Sequence, residues 1–443
     1  MMANRKVIYY IQYAIKLIVK SPLCVSGGTD DVTDCDVQKD FDGRPFIPGS
    51  SLAGALRGYL EECTDKRDAS DIEKVFGNSS GDQGFMSRVK ISDLYFADGS
   101  EGAKLTTRDG IKLKNKLTVK GAKFDMEAVE PGAVCDGYLL LTIREGDERE
   151  RFEALIERAL SGLKYGEIRL GANKNRGFGE MDIRVARKKV FSGENIAEWL
   201  DLDRTAFLNE DGNVLDLTKT EESRYLIIRV PLRQKGGISI RRYSVIPGQP
   251  DYEHITADGR PVIPGSSING AIRTRIGEFF DQLGIENREA CIDEWFGYVR
   301  EGQNEAKQSD IVISESVIEG GVDLSMTRTK INRYDASVVN GALYSEKSHF
   351  DGRVVLEIRI RRNYYDGEGR WQKNESFRYE PIVGMLLLAV KDVQNGYLPI
   401  GGQTAIGRGI FEADGPIELS GTERDENYYI NAVSTLCAKE KNG

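Results

Sequence analysis

Two stretches of the chain share one pattern of apolar and polar positions. Residues 46–62 are FIPGSSLAGALRGYLEE, and residues 262–280 are VIPGSSINGAIRTRIGEFF. In each, a proline keeps the backbone extended and apolar residues then recur every three or four positions, which predicts a helix with one buried face. The predicted buried faces are Leu52, Ala55, Leu56, Tyr59 and Leu60, and Ile268, Ala271, Ile272, Ile276 and Phe279.

The serines at the start of each predicted helix are candidates for capping and for anion binding. Ser50 or Ser51, and Ser266 or Ser267, can accept hydrogen bonds from first-turn amides that have no partner inside the helix. A helix N-terminus that follows a glycine also suits a phosphate. A single stretch of this kind is most simply a well-made helix start, so the functional interpretation depends on its repetition.

Further blocks recur in the same order in both halves of the chain. The pairs are IEKVFG (72–77) with IDEWFG (292–297), Thr107-Arg108 with Thr327-Arg328, Gly121-Ala122 with Gly341-Ala342, and GANKNRGFGE (171–180) with GGQTAIGRGI (401–410). The spacing between the copies changes only gradually, as insertions would cause. The chain is therefore a tandem duplication.

Each copy predicts the element order βαββαβ. The predicted strands and helices outside the repeated helices are Tyr13–Leu17, Val89–Phe96, Gly137–Ile143 and 149–163 in the first copy, and Tyr225–Leu232, Ile311–Ile318, Val354–Ile360 and 379–393 in the second. This order predicts an α+β fold with two tandem ferredoxin-like domains. We predict a first domain at 1–190, a linker at 191–221 and a second domain with a C-terminal tail at 222–443.

A long excursion separates the second and third strands of each copy, at 97–136 and 319–352. Polar and β-branched residues alternate in both, which predicts a projecting β-hairpin rather than disorder. The stretch 104–123 carries seven Lys or Arg residues against Asp109 alone. The net charge of −9 argues against a simple nucleic-acid binder, but a local cluster of this kind can contact phosphates or can be a solvated face.

The cysteine and histidine content and the hydropathy of the chain bear on whether it holds a zinc site, where it is located and whether it spans a membrane. The six cysteines are scattered without a CxxC, and only His254 and His349 could join them, so a zinc site is disfavoured and a reducing cytoplasm is favoured. The apolar run 7–19 is interrupted by Gln12 and Lys16 and predicts a strand. We therefore expect a cytoplasmic protein without a membrane partner.

An acidic loop precedes the first repeated helix. It contains Asp30, Asp31, Asp34, Asp36, Asp40 and Asp42. Carboxylates prefer hard cations, so Asp34 and Asp36 are candidate ligands of Mg²⁺ or Mn²⁺, and an aspartate here could deprotonate an RNA 2'-hydroxyl. The alternative is that some of them only cap turns. In the second copy, only Asp251, Glu253 or His254 could serve.

The glycine-rich loops offer backbone amides to an anion. In the first copy, Gly171, Gly177 and Gly179 accompany Lys174 and Arg176, a composition that suits a phosphate. In the second copy, Arg408 is the charged residue among the glycines of 401–409. Tight strand turns explain many such glycines equally well.

Together these blocks resemble the RAMP superfamily of CRISPR-associated proteins, specifically the backbone subunit of type III effector complexes. The matching segments are SGG (26–28), Lys39-Asp40, IPGSSLAGALR (47–57), SRVKISD (87–93), TRDGIKLKNKLTVKGAKF (107–124) and GANKNRGFGE (171–180). The resemblance covers most of both halves. Two such units in one chain resemble the fused backbone subunits of type III-D-like systems.

The resemblance implies an RNA-recognition-like core in each half, with hairpin thumbs at 104–124 and 327–344. It also implies stacking on a CRISPR guide RNA, with other effector subunits at both ends. An aspartate in the loop before the repeated helix would cleave complementary target RNA. That aspartate corresponds to Asp34, with Asp36 a close alternative, whereas Asp251 in the second copy is shifted by one position.

We therefore predict a guide-RNA-binding subunit that is a metal-dependent endoribonuclease. The alternative is a catalytically inactive guide-binding subunit, with cleavage performed elsewhere in the complex. A guide-processing ribonuclease is a third interpretation, disfavoured because neither histidine lies in a repeated block. The predicted RNA-binding residues are Ser50, Ser51, Arg57, Arg108, Lys112, Lys114, Lys116, Lys174, Arg176, Gly177, Ser266, Ser267, Arg273, Arg328, Lys330 and Arg408.

Overall fold

The computed structural model divides the chain into two compact units. It describes residues 5–26, 35–63, 68–78, 84–114, 117–210, 214–219, 223–243, 248–285, 288–300, 305–365, 371–373 and 379–438, with the backbone alone at 111–114, 117–123, 300, 363–365 and 371–373. The first unit comprises residues 1–224 without Asn175–Gly177 and with Tyr365–Trp371; the second comprises the remainder. Among the residues described, no helix is long and apolar enough to cross a membrane.

The first unit contains strands β1 to β8 and helices α1 to α5. Their bounds are β1 Val7–Val19, β2 Phe46–Ile47, α1 Gly49–Cys63, α2 Ala69–Phe76, β3 Val89–Ile91, β4 Leu94–Phe96, β5 Leu105–Lys114, β6 Leu117–Val129, β7 Val134–Arg144, α3 Arg149–Lys164, β8 Met181–Phe191, α4 Ile196–Leu200 and α5 Arg204–Asn209.

Strand β1 lies at the centre of the main sheet of this unit. It pairs antiparallel with β7 on one side and β8 on the other, and β3 and β4 pair with β7. Helices α1 and α3 cover one face, and a Cβ on Gly162 of α3 would lie 2.6 Å from the Tyr59 ring of α1. This arrangement confirms the predicted ferredoxin-like fold, in which two βαβ crossovers interleave around the first strand.

The second unit repeats the arrangement with additional short strands. Its elements are β9 Tyr225–Gln234, β10 Gly237–Ile238, β11 Arg241–Tyr243, β12 Tyr252–His254, β13 Thr256–Ala257, β14 Arg260–Ile263, α6 Gly265–Leu283, α7 Arg288–Phe296, β15 Tyr298–Arg300, β16 Glu305–Lys307, β17 Ile311–Ile313, β18 Ser316–Val317, β19 Val322–Arg328, β20 Tyr344–Phe350, β21 Arg353–Arg361, β22 Asn363–Tyr365, β23 Trp371–Lys373, α8 Glu380–Gln394, β24 Phe411–Ala413, β25 Glu418–Ser420, α9 Glu426–Ala432 and α10 Ser434–Ala438.

Strand β9 occupies the central position that β1 has in the first unit. It pairs with β21 and with β24 and β25, and β17 pairs with β21. The periodicity predicted for α6 is confirmed, with Phe280 rather than Phe279 as the last fully buried residue. The predicted C-terminal tail contributes to this core, because Tyr429 of α9 is fully buried against α8.

The described parts of the predicted linker (191–221), which are residues 191–210 and 214–219, pack on the first unit. Phe207 and Leu208 of α5 are buried against Ala14 of β1, on the face of the sheet opposite α1 and α3. The buried guanidinium of Arg187 donates to the carbonyl oxygen of Leu208 at 2.9 Å. Leu217 joins the first hydrophobic core. The segment therefore covers a face of the sheet that water would otherwise reach, and the polar composition did not reveal this.

Both excursions form hairpins, as the alternation predicted. Strand β5 pairs antiparallel with β6 from Leu105 opposite Val129 to Lys114 opposite Leu117. In the second unit, β19 pairs with β20, and a bridge between Ile331 and Val338 lies in the segment that joins them. The bases of these two hairpins carry the candidate functional residues.

Candidate functional site

In the first unit, the end of the acidic loop lies along the base of the β5–β6 hairpin. Residues 27–34, and with them Asp34, are outside the described residues. Cys35 bridges Met126 of β6 in parallel, and the Glu127 amide donates to the Cys35 carbonyl oxygen at 2.9 Å. Glu127 then accepts from the Val37 amide at 3.2 Å and binds Lys39 at 2.9 Å. These contacts fix the chain directly after Asp34.

Asp36 lies in this segment, next to a pair of thiols. The sulfurs of Cys24 and Cys35 are 3.4 Å apart. Burial, followed by the neighbouring Cys35 thiol, raises the pKa of Cys24 to about 12, and the charge of Asp36 adds to the increase. Cys24 is therefore a neutral thiol at physiological pH and not a nucleophile. Arg108 of β5 lies opposite Met126 and is also buried.

The first glycine-rich loop packs against Cys24 and against Met126 of β6. The Ala172 amide donates to the Cys24 carbonyl oxygen at 2.7 Å, and a Cβ on Gly171 would lie 2.2 Å from that oxygen. Asn173 donates through Nδ2 to the sulfur of Met126 at 3.5 Å. Lys174 follows directly. Close backbone packing therefore accounts for Gly171. Phosphate binding by this loop, and RNA binding by Lys174, stay predictions.

Arg176 and Gly177 belong to the second unit. A Cβ on Gly177 would lie 2.6 Å from the Glu315 amide nitrogen, so only glycine fits at this position. Burial lowers the pKa of Arg176. RNA binding by these two residues stays a prediction.

The serines of the repeated helices do not cap them as predicted. Helix α1 begins at Gly49, whose amide donates to Asp93 Oδ1 at 2.8 Å, so a carboxylate already occupies this N-terminus. The residue that precedes α6 is Pro264, which provides no side-chain cap. A Cβ would lie 2.5 Å from the Ile91 carbonyl oxygen at Gly49 and 2.1 Å from that of Ile313 at Gly265. Both glycines allow a helix start to approach a strand.

Ser50 and Ser266 are exposed, and Ser51 and Ser267 are half-buried, so RNA contact by the serines stays a prediction.

Two predicted RNA-binding arginines have partners within their own unit. Arg57 donates to Glu61 at 2.7 Å and to the Gly77 carbonyl oxygen at 3.0 Å. Arg273 binds Asp293 at 2.7 Å. These contacts join each repeated helix to the segment that follows it, and an RNA role for either arginine stays a prediction.

In the second unit, Asp251 lies at the base of the β19–β20 hairpin. Its Oδ2 accepts from the Ser345 amide at 2.7 Å and from the Ser345 hydroxyl at 3.2 Å. The next residue, Tyr252, pairs in parallel with Glu346 of β20. This geometry matches the first unit, where Cys35 bridges Met126 in parallel. Aligning the two units by this strand pairing places Cys35 with Tyr252, and therefore Asp34 with Asp251, the residues that directly precede them. The one-position shift between the two aspartates in the sequence comparison is absent from this alignment.

A buried carboxylate distinguishes the second hairpin base from the first. Glu346 is fully buried and binds Arg328 at 3.0 Å, with Arg408 at 3.7 Å. Gln403 donates to Glu346 at 2.5 Å, as Asn173 donates to Met126. Arg408 corresponds to Phe178 in the repeat, and Phe178 packs against Met126. An apolar pair in one unit is therefore an ionic cluster in the other, and the predicted RNA-binding residues Arg328 and Arg408 belong to that cluster.

The chain's two histidines lie together beside this cluster. His254 is buried: it is 5 % exposed, and its Nδ1 accepts from the Ile240 amide at 3.1 Å. His349 Nδ1 is 2.8 Å from Asp323 Oδ1. Burial, followed by the neighbouring His349, lowers the pKa of His254 to about 4. His254 is therefore neutral in the folded protein.

We expect His254 to reduce stability as the pH falls from about 6.5 to about 4, because the unfolded chain takes up a proton there and the folded unit does not. The loss reaches about 3 kcal/mol if the full pKa difference is realised. His254→Asn keeps an acceptor for the Ile240 amide and cannot be protonated in this range. Thermal unfolding at about pH 7.5 and about pH 5 should show a smaller loss for this variant than for the parent; equal losses would contradict the assignment.

Side chains that could bind a metal do not lie close together in the part of the chain that the structure describes. No group of three His, Cys, Asp or Glu side chains in that part is arranged to hold an ion. Asp34 lies outside the described residues, as do Lys116 and the side chains of Lys112 and Lys114. Asp40 caps a turn, since its Oδ1 accepts from the amides of Asp42 and Arg44 at 2.9 Å each.

The duplicated ferredoxin-like fold with a hairpin in each copy places the chain in a known class of proteins. The chain belongs to the RAMP superfamily, whose family model matches residues 16–182 and 231–412. It is similar to proteins named CRISPR system Cms endoribonuclease Csm3. The protein from Methanocaldococcus jannaschii is 29 % identical over 220 residues, which cover 43 % of this chain and 87 % of the relative.

Two further relatives carry the same name. The protein from Streptococcus thermophilus is 26 % identical over 190 residues, which cover 39 % of this chain and 86 % of the relative. The protein from Enterococcus italicus is 27 % identical over 152 residues, which cover 30 % of this chain and 71 % of the relative. Each match spans less than half of this chain, as expected if a relative corresponds to one of the two copies.

Proposed function

We propose that the protein is a guide-RNA-binding backbone subunit of a type III CRISPR effector complex that cleaves complementary target RNA. Two observations support this role: the chain contains two RAMP regions in tandem, and its relatives are named as endoribonucleases of a CRISPR system. Guide RNA, target RNA and effector subunits at both ends are the proposed partners, in the cytoplasm. The fusion of two copies favours a type III-D-like system.

The acidic loop of the first unit is the proposed cleavage site. The observation that carries this proposal is the shared strand register, in which an aspartate immediately precedes the residue paired with the hairpin base in both copies. A carboxylate there can accept the proton of an RNA 2'-hydroxyl and so promote its attack on the adjacent phosphate. Asp34 and Asp36 are the candidates in the first unit, and Asp251 is the candidate in the second.

We further propose that cleavage requires Mg²⁺ or Mn²⁺. Such a cation would be held by carboxylates and would stabilise the negative charge that develops on the phosphate during cleavage. The described residues supply Asp36 to this set, while Glu127 is already bound by Lys39 and the Val37 amide. The described residues therefore offer one carboxylate suited to such a cation, that of Asp36. We propose that Asp34 provides the second.

A catalytically inactive guide-binding subunit is the second candidate function. The hydrogen bonds from Ser345 to Asp251 favour it for the second unit, because they give this carboxylate a structural role. Cleavage would then belong to the first unit alone or to another subunit of the complex.

The test is to purify the complete effector complex and ask whether a guide copurifies and directs cleavage. We expect cleavage of a complementary RNA in the presence of Mg²⁺, loss of cleavage after chelation, and an intact non-complementary RNA of equal length. Absence of a copurified guide would overturn both candidate functions. Guide binding without target cleavage would favour the inactive subunit.

A further inference from the structure

Two cysteines of the first unit bring their sulfurs together. The sulfurs of Cys24 and Cys35 are 3.4 Å apart, although the residues are separated by 11 positions in the chain. A disulfide bond holds its sulfurs about 2.05 Å apart, so the two atoms have to approach by roughly 1.4 Å to bond. We call these two residues the thiol pair.

Strand β6 fixes the backbone beside both members of the thiol pair. Next to Cys24, the Leu23 amide donates to the Val129 carbonyl oxygen at 3.0 Å, and the Val129 amide donates back at 2.8 Å. The Glu127 amide donates to the Cys35 carbonyl oxygen at 2.9 Å. Because one strand anchors both cysteines, approach of the sulfurs requires side-chain rotation and not unfolding.

The two thiols differ in their access to small molecules. Cys24 is fully buried and lies in a cluster with Met126, Ala128 and Phe178. Cys35 is half-buried. Cys35 is therefore the sulfur that a reagent in solution reaches first, and Cys24 is placed to react with Cys35.

The second unit builds the same strands without cysteines. The backbone contact of Cys24 with the glycine-rich loop recurs at Ser239, whose carbonyl oxygen accepts from the Gly402 amide at 2.9 Å. Strand pairing aligns Tyr252 with Cys35. The fold thus forms with serine and tyrosine at these positions. Two cysteines that touch in one copy, and are both replaced in the other, indicate a chemistry of the pair.

We propose that a hydroperoxide oxidises the thiol pair to a reversible disulfide, and that this disulfide slows target cleavage by the first unit. Disulfides of cytosolic proteins are usually transient and often sense redox state. Cys35 directly follows Asp34, the proposed base, and a displacement of about 1 Å can cost about 10²-fold in rate. The effect on cleavage rests on the proposed function, whereas formation of the disulfide does not.

The oxidation has two balanced steps. The Cys35 thiolate attacks one oxygen of the hydroperoxide, the O–O bond breaks, and an alcohol or water leaves a sulfenic acid on Cys35. The Cys24 sulfur then bonds to the Cys35 sulfur as the S–O bond breaks, and the Cys24 proton leaves with the hydroxide as water. The two sulfurs lose two electrons, which the peroxide gains. Exchange with a dithiol restores both thiols.

The second step should be slow at neutral pH. Burial, followed by the neighbouring Cys35 thiol, raises the pKa of Cys24 to about 12, and the carboxylates of Glu127 and Asp36 add to the increase. Cys24 therefore stays a neutral thiol until Cys35 is oxidised. We expect the disulfide to form faster at about pH 8.5 than at about pH 7.

The test uses the parent chain in its reconstituted effector complex, treated with hydrogen peroxide and then with catalase. Trypsin leaves both cysteines on one peptide, residues 21–39, because no Lys or Arg lies between them. After N-ethylmaleimide treatment, this peptide should carry two alkyl groups before oxidation and none after it. Single-turnover cleavage should fall about 10²-fold on oxidation, and dithiothreitol should restore both the alkylation and the rate.

Three variants serve as controls. Cys24→Ser copies the residue of the second unit, and Cys35→Ser removes the sulfur that meets the peroxide. Peroxide should leave the cleavage rate of each unchanged, which separates the disulfide from oxidation of Met126, a residue that both variants keep. Cys63→Ser removes a half-buried thiol of α1 and should respond to peroxide like the parent.

An oxidised peptide that still takes up two alkyl groups, or that carries only a sulfinic acid, would overturn the disulfide and leave the proposed function intact. A disulfide that forms without any change in cleavage would overturn its regulatory effect. An untreated complex that cleaves no target would overturn the proposed function and, with it, the effect on cleavage, while alkylation still decides whether the disulfide forms.

Discussion

Replacing Asp34 by alanine is expected to lower the rate of target-RNA cleavage about 10²- to 10⁴-fold, the usual contribution of a positioned general base. Guide binding should stay at the parental level, because the segment after Asp34 is fixed independently by the contacts of Cys35, Val37 and Lys39 with β6. The measurement is single-turnover cleavage by the reconstituted complex at saturating Mg²⁺. Asp36→Ala and Asp251→Ala, examined in the same way, identify which carboxylates act.

Asp42→Ala is the matched control, since Asp42 is an exposed carboxylate at the end of the same acidic loop. It should cleave like the parent. Asp34→Asn should be as slow as Asp34→Ala, because an amide keeps the shape of the side chain and accepts no proton. Parental rates for the Asp34, Asp36 and Asp251 variants would exclude all three as catalytic residues.

Replacing Glu346 by methionine should destabilise the second unit by about 3–5 kcal/mol, because it removes one member of a buried ionic cluster. Arg408, whose side chain is 11 % exposed, would lose its carboxylate partner, whereas Arg328 is more exposed and can turn toward water. Urea or thermal unfolding of the full chain measures the loss. Activity is not the readout, because Glu346 acts through packing and charge balance.

The first unit supplies the control for this prediction. Glu346→Met combined with Arg408→Phe recreates the pairing of Met126 with Phe178. We expect the double variant to recover at least half of the stability lost by Glu346→Met, which is a coupling between neighbouring residues that a double-mutant cycle detects. Losses that simply add would show that the two positions are independent and that charge balance is not the cause.

Much of the fold could be predicted from the chain alone, since repeated hydrophobic periodicity specifies repeated elements. The strands around Tyr13 and Tyr225, and the helices that begin at Gly49 and Gly265, occur where the pattern placed them. The segment 191–221 was harder, because Phe207 and Leu208 are two apolar residues in a polar context. Their burial depends on a sheet face formed by residues almost 200 positions earlier, which no local pattern encodes.

The site was less accessible to sequence reasoning for the same physical reason. Asp251 was a candidate from the sequence, shifted by one position, but its correspondence with Asp34 depends on which residues pair with the hairpin base. Asp93, which binds the start of α1, and the contacts among the rings of Tyr243, Tyr252 and Tyr344 were missed entirely. The run Arg241-Arg242-Tyr243 carried a signal, an aromatic residue among cations, but its partners Tyr252 and Tyr344 are distant in the chain.

The exchange of Met126 and Phe178 for Glu346 and Arg408 also constrains how the two copies diverged. A cation lies beside the exchanged pair in both units, because the buried Arg108 lies opposite Met126 and Arg328 binds Glu346. A glutamate that appeared first would therefore meet a cation already at the site, whereas an arginine that appeared first would bring two buried cations together without a carboxylate between them. We infer that the carboxylate preceded the second arginine in the history of the duplicated gene.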